Sequence, residues 1–376
     1  MILYVNKGSI SMKYNFDLYK IRNIINELEL KLTKTSNVEE IRHIKDIIAL
    51  YQVMMTNISK NASYNTSNTL EDIKYDNFND LFDALSDLSI NPIIKLLMNA
   101  YTDLAKCDLS SYLINIENNN DSLIRITDEF MKEYLPLEYY KKYEEVKSTN
   151  LHIQYKSSLA TGETYIDDIS KEKYILINRS NEALDTITIP HEYFHCIFND
   201  FTSYKISENN LAYTKEVEGS LANLLFIDFM NKRNKTIAEN LDKDFLAYFE
   251  IRSLAIMTAA YRIYKLDKEN IIGFKKYRRI FKNYAIDTIT DDELMDLISS
   301  ENSDDIIGYN LSNLIAIDLF YIYKKDPEFA LYLLSNIRSY RTDDNILSIL
   351  RRNNLTFMDD NLSNFKKYIK KYKATE

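Results

Sequence analysis

The chain has 376 residues, 45% of them hydrophobic, and a formal net charge of −9. That is the composition of a globular protein large enough for a sizeable core and two lobes. An acidic balance excludes nucleic acid as a main partner, because phosphate binding needs clustered Lys and Arg. The runs Lys275-Lys-Tyr-Arg-Arg279 and Lys366-Lys-Tyr-Ile-Lys-Lys371 read instead as solvated helix faces.

The N-terminus, Met1 to Gly8, lacks the apolar region and cleavage site of a signal peptide. No apolar run appears long enough to span a bilayer, so no membrane is expected. Two cysteines, Cys107 and Cys196, are no disulfide framework and suit a reducing cytoplasm. Five glycines and four prolines are too few for the turns of an all-β fold, so the class is mostly α.

From about residue 15 to 145 the pattern is one of successive amphipathic helices. Ile21, Ile24, Ile25, Leu28 and Leu32 recur at helical spacing, as do Ile44, Ile47, Ile48 and Tyr51. The polar stretches at 59–68 and 118–121 read as loops. Pro92 sits near the first turn of a further helix. His43, among charged residues, reads as a surface histidine.

After Ser148 the pattern changes. Leu151-His-Ile-Gln-Tyr155 alternates, and Thr164 to Asp168 and Lys173-Tyr-Ile-Leu-Ile-Asn178 read as two short strands. One small antiparallel sheet is expected here, with His152 packed in a strand. The division expected is a helical N-terminal lobe at 1–147 and a catalytic domain at 148–376.

The next segment carries the chemistry. His191-Glu-Tyr-Phe-His195 spells H-E-x-x-H and holds two of the chain's four histidines. On a helix, residues four apart share a face, so both imidazoles can reach one zinc ion. Glu192 is placed to take a proton from water held by the metal. Cys196, one step on, turns away from that face and reads as a core residue. Ser180 or Asn181 could cap the helix, with Glu182 and Asp185 in its first turn. Pro190 marks either a kink or a start.

The apolar helix from Lys215 to Met230 opens with Glu216 and Glu218. Either could be the third ligand, but not both, since residues two apart on a helix diverge. The other is then an acidic residue favoured by the helix dipole. Gly162, Gly219 and Gly308 fall within these segments, as close backbone approach around a site would require.

Together these segments resemble the oligoendopeptidase F and thimet oligopeptidase family, zinc metallopeptidases of the gluzincin type. Tyr174 to Asn178 ends ahead of the motif as a similar strand does there. Glu216-Val-Glu-Gly-Ser220 looks like the family's ligand helix, and that match makes Glu216 the third ligand. Gly308-Tyr309, followed by Ser312 and Asp318-Leu-Phe320, looks like its tyrosine-bearing helix, with Lys325 to Tyr332 as the continuation. The resemblance covers roughly residues 150–375.

The resemblance implies a zincin-like, two-lobed helical fold with a reduced N-terminal lobe. Zn2+ would be held by His191, His195 and Glu216, with Glu192 as general base and Tyr309 donating to the oxyanion. The strand around Ala160 to Gly162 would pair with the backbone of a peptide substrate. Two departures stand out. Phe194 replaces a glycine, and the stretch from Leu297 to Asp304 lacks the family's upstream His and Tyr. They leave open a zinc-bearing peptide-binding module, or a peptidase dedicated to one processed peptide.

Overall fold

The computed structural model describes residues 25–36, 78–85, 91–111, 119–147, 151–155, 161–166, 173–179, 182–199, 216–266, 277–298, 303–339 and 362–373, with isolated positions between them. His43, the 59–68 stretch and the proposed capping residues Ser180 and Asn181 lie outside the described residues. The chain divides into two compact units, 1–76 and 77–376. The second includes the helices over 91–147 as well as the sheet and the H-E-x-x-H segment.

Among the described residues a helical stretch at 78–85 opens this unit, followed by α1 (Asn91–Leu104), α2 (Asn120–Tyr134) and α3 (Leu137–Lys147). Asn119 caps α2, its side chain accepting from the Ser122 N–H. Strands β1 (Leu151–Tyr155), β2 (Thr161–Ile166) and β3 (Lys173–Arg179) follow, then α4 (Leu184–Asn199), α5 (Val217–Asn231) and α6 (Lys235–Leu266). The remaining helices are α7 (Arg278–Asn283), α8 (Asp291–Ile298), α9 (Ser303–Tyr323), α10 (Pro327–Ser339) and α11 (Ser363–Ile369). The mostly α class holds.

The sheet departs from expectation. Its order is β1-β3-β2, with β2 antiparallel to β3 but β1 parallel to it. It is therefore mixed rather than antiparallel. Alternation in sequence marks strands but not their neighbours, and here β1 and β2 flank β3 on opposite sides. β2 forms an edge of the described sheet and packs against α4.

Helix α4 carries the motif and runs straight through Pro190, so the helix starts well before the proline. Its N-terminal end is pinned from two sides. Arg179, closing β3, pairs with Asp185 in the first turn at 3.3 Å, and both side chains are almost wholly buried (0% and 2% exposed). The same guanidinium donates to Asn120 Oδ1 at 2.8 Å, joining the start of α2. Glu182 lies just ahead of the helix. A buried ion pair resists loss of one partner, because the other charge is left uncompensated. Arg179→Met is expected to lower the unfolding free energy by about 3–5 kcal/mol, read by denaturant titration. A loss near zero would show that the pair does not hold the motif helix.

The face of α4 opposite the histidines packs against apolar helices. Phe194 is fully buried and stacks on Phe130 of α2, whose ring also meets Phe226 and Phe229 of α5 edge-on. This aromatic cluster is where the bulk of Phe194 goes, away from the metal face. Cys196 is buried in the same core, as expected. One expectation needs correcting. The stretch Ile306–Tyr323 of α9 is long and apolar enough to cross a membrane by length and composition, but 78% of it is buried inside the fold. It is apolar on all sides because it packs on all sides, against α5, α6, α10 and α11.

Candidate metal centre

His191 and His195 leave α4 one turn apart and on the same face. Their Nε2 atoms are 3.1 Å apart. Glu216, the residue before the first turn of α5, points its Oε2 at both, 3.4 Å from His191 Nε2 and 3.5 Å from His195 Nε2. Glu216 occupies the helix N-cap position but makes no side-chain capping hydrogen bond. Its carboxylate is directed to the histidines instead. These three ligand atoms are the metal-capable cluster among the described residues.

The spacing can be tested against the ion. Two donors about 2.0–2.1 Å from a tetrahedral zinc stand about 3.3 Å apart. The three separations here, 3.1, 3.4 and 3.5 Å, bracket that value. Glu216 Oε2 is buried and without a hydrogen-bond partner of its own. Three electron-pair donors converging in a largely buried site could hold a cation between them. The donor set, two imidazoles and one carboxylate, is that of a catalytic zinc site with a coordination position to spare. The residues fit zinc.

Glu218 does something else. It is wholly buried, and its Oε1 lies 3.3 Å from His195 Nδ1, on the side of the ring away from Glu216. On His191 the corresponding place is taken by Asn223, whose Oδ1 is 3.3 Å from Nδ1. Carboxylate and amide oxygens only accept, so both Nδ1 atoms carry the proton and both Nε2 lone pairs face Glu216. The choice between Glu216 and Glu218 left open by helical geometry thus has a geometric answer: Glu216 faces the two Nε2 atoms.

Glu192 is buried on α4, with its carboxylate against β2. Thr164 Oγ1 lies 2.7 Å from Glu192 Oε2 and donates to it. Gly162 explains how the strand comes so near. A Cβ there would fall 2.5 Å from Glu192 Oε1. Gly219 does the same for His191, since its Cβ would fall 2.3 Å from Cε1 and 2.4 Å from Nε2. Close approach is therefore realised at two of the three glycines that stood out in the sequence.

Tyr309 stands one helix away, on α9. Ser220 Oγ donates to Asn313 Oδ1 at 2.9 Å, and Lys324 Nζ meets Asp228 at 2.7 Å, so α5 and α9 run parallel. Tyr309 lies four residues before Asn313 on α9. Its ring packs under the Arg252 guanidinium of α6, 4.2 Å from the centroid. Thr164, Asn223 and the second role of Glu218 were missed in the sequence. Asn223 had a signal: it is the polar residue in an otherwise apolar turn, and a half-buried amide there finds a partner.

Electrostatics show what fills the centre in the metal-free chain. Burial alone would keep His195 neutral, but the charge of Glu216 and the hydrogen bond to Glu218 hold its pKa well above the usual 6.5. Burial likewise penalises the Glu216 carboxylate, yet the charge on His195 beside it brings its pKa well below the usual 4.5. The raised histidine stabilises fully below 6.5 and the lowered glutamate fully above 4.5, so this pair supports the metal-free fold most between those values. The support fades above that window as His195 deprotonates, and below it as Glu216 protonates. A proton on His195 must leave before a metal binds. Zinc uptake at pH 7 is therefore expected to release about one proton, and apparent affinity to rise with pH until His195 is neutral. Calorimetry in buffers of different ionisation enthalpy measures that release. No release would contradict the charged His195.

Neither a protein-family model nor a curated protein sequence matches the chain. Three solved structures are similar. A protein described as an oligoendopeptidase F is 13% identical with a TM-score of 0.49, over 92% of this chain and 66% of its own. PZ peptidase A, with an inhibitor, is 12% identical with a TM-score of 0.45, over 79% and 58%. A protein from Bacillus anthracis str. Ames, also described as an oligoendopeptidase F, is 13% identical with a TM-score of 0.44, over 89% and 62%. The chain thus spans 58–66% of the length of these proteins. At TM-scores below 0.5 these likenesses carry no functional argument, which rests on the centre itself.

Proposed function

We propose that the chain is a zinc-dependent peptidase acting on short or unfolded peptides. The observation that supports this most is the convergence of His191 Nε2, His195 Nε2 and Glu216 Oε2 at zinc-ligand spacing, with Glu192 between the two histidines. His191, His195 and Glu216 would hold the zinc, which when bound would supply Lewis acidity toward a water and a scissile carbonyl.

The chain's own groups do the rest. Glu192 accepts the proton of the attacking water and returns it to the leaving amine. Thr164 holds the Glu192 carboxylate in place through its 2.7 Å hydrogen bond. Asn223 and Glu218 keep the imidazoles in the tautomer that presents Nε2. Tyr309 of α9 would donate its hydroxyl to the developing oxyanion. The edge strand β2, against Glu192, is the surface to which a substrate backbone pairs, aligning the scissile bond beside the general base.

Digestion of a mixed peptide library, with and without a zinc chelator, tests this reading. Cleavage of short peptides that the chelator stops, and none of a folded protein, is the expected result. The stretch from Leu297 to Asp304, without His or Tyr, favours a second reading: a zinc-bearing peptide-binding module, or a peptidase reserved for one processed peptide. Zinc bound with no peptide cut would move the assignment there.

A further inference from the structure

We propose that Glu218 is a positioning residue that tunes the metal centre through charge, by holding His195 at Nδ1. The inference rests on the zinc reading above. Its starting point is an asymmetry. His191 is held at Nδ1 by a neutral amide, Asn223, whereas His195 is held by a carboxylate, each at 3.3 Å. An amide suffices to fix a tautomer, as Asn223 does. A carboxylate in a wholly buried position is far more costly to desolvate. A neutral residue of the same shape would avoid that cost, so the negative charge is what distinguishes Glu218.

Its contact sets Glu218 apart from the ligands. It leaves α5 two residues after Glu216, on a diverging direction, and meets the ring nitrogen turned away from the centre. From there it acts in three ways. It fixes the ring so that Nε2 faces Glu216. It makes His195 a stronger donor, because a carboxylate accepting the Nδ1 proton increases basicity at Nε2. It also adds a second negative charge, beside that of Glu216, opposite a divalent cation.

The test is zinc affinity of the full chain, by competition with a chromogenic chelator, for the wild type, Glu218→Gln and Glu216→Gln. Gln keeps the shape and an accepting oxygen but not the charge. Glu218→Gln is expected to bind zinc 10- to 100-fold more weakly, in the range of about 10–100-fold for outer partners of metal ligands. The metal-free variant should keep the wild-type circular dichroism spectrum, while melting somewhat lower as His195 loses the Glu218 charge; a lost spectrum would make Glu218 a structural support instead and overturn the proposal. Glu216→Gln should lose zinc altogether. Unchanged affinity in Glu218→Gln, with zinc lost in Glu216→Gln, would overturn the role of Glu218 and leave the zinc reading intact. Complete loss in Glu218→Gln would make it a ligand and overturn the proposal too. A wild type that binds no zinc would overturn both. Nitrogen-15 imidazole NMR of the zinc-loaded wild type needs no variant to fold. It should show His195 ligated through Nε2 with a protected Nδ1–H, and ligation through Nδ1 would contradict the proposal.

Discussion

Glu192→Gln should retain zinc and lower kcat for peptide cleavage by about a hundred- to ten-thousand-fold, the usual contribution of a general base. The amide has the shape of the carboxylate and can still accept from Thr164 Oγ1, so the packing against β2 survives. What it cannot do is take up a proton from water. KM should change little, because Glu192 acts on the water rather than on the bound peptide. Steady-state kinetics with a fluorogenic peptide, alongside zinc content, would measure both. A variant within a few-fold of wild-type kcat would show that another group is the base.

Gly219→Ala should weaken zinc binding by at least about a hundredfold, at or beyond the upper end for changes outside the ligand set. The added Cβ would sit 2.3 Å from His191 Cε1 and 2.4 Å from Nε2, inside any tolerable contact. The ring has little room to yield, since Asn223 holds its Nδ1 from α5, the same helix that carries the new methyl. His191 must leave the position from which it reaches Glu216. Gly162→Ala is the instructive contrast. There the methyl would meet the Glu192 carboxylate at 2.5 Å, so kcat should fall while zinc stays bound. The two glycines thus separate metal binding from proton transfer. Zinc titration of both variants checks this, and equal zinc affinity in Gly219→Ala and wild type would contradict the geometry.

The parts of the centre that sequence revealed are those fixed by local spacing. H-E-x-x-H needs only a helix to bring its histidines together, and α4 is that helix. Glu216 and Glu218 could not be separated by helix phase, because the answer depends on where α5 begins. Glu216 sits at its N-cap, where the backbone has left helical geometry (φ −103°, ψ 4°), so its side chain escapes the helical projection. Outer partners such as Thr164 and Asn223 come from other elements, and nothing local announces them. The sheet shows the same limit. Alternation marked β1 and β3 as strands, but their parallel pairing joins residues more than twenty apart, Leu151 with Ile175. Phe194 is legible only with α2 in view, since Phe130 is what it packs on.

The measurement that bears most directly on the account is zinc content and peptide cleavage on one preparation, before chelation, after it, and after zinc is restored. About one zinc per chain is expected, with cleavage that disappears on removal and returns on addition. His195→Ala should show neither zinc nor cleavage. Cleavage that persists in zinc-free protein, or zinc that stays bound without His195, would contradict the centre described above.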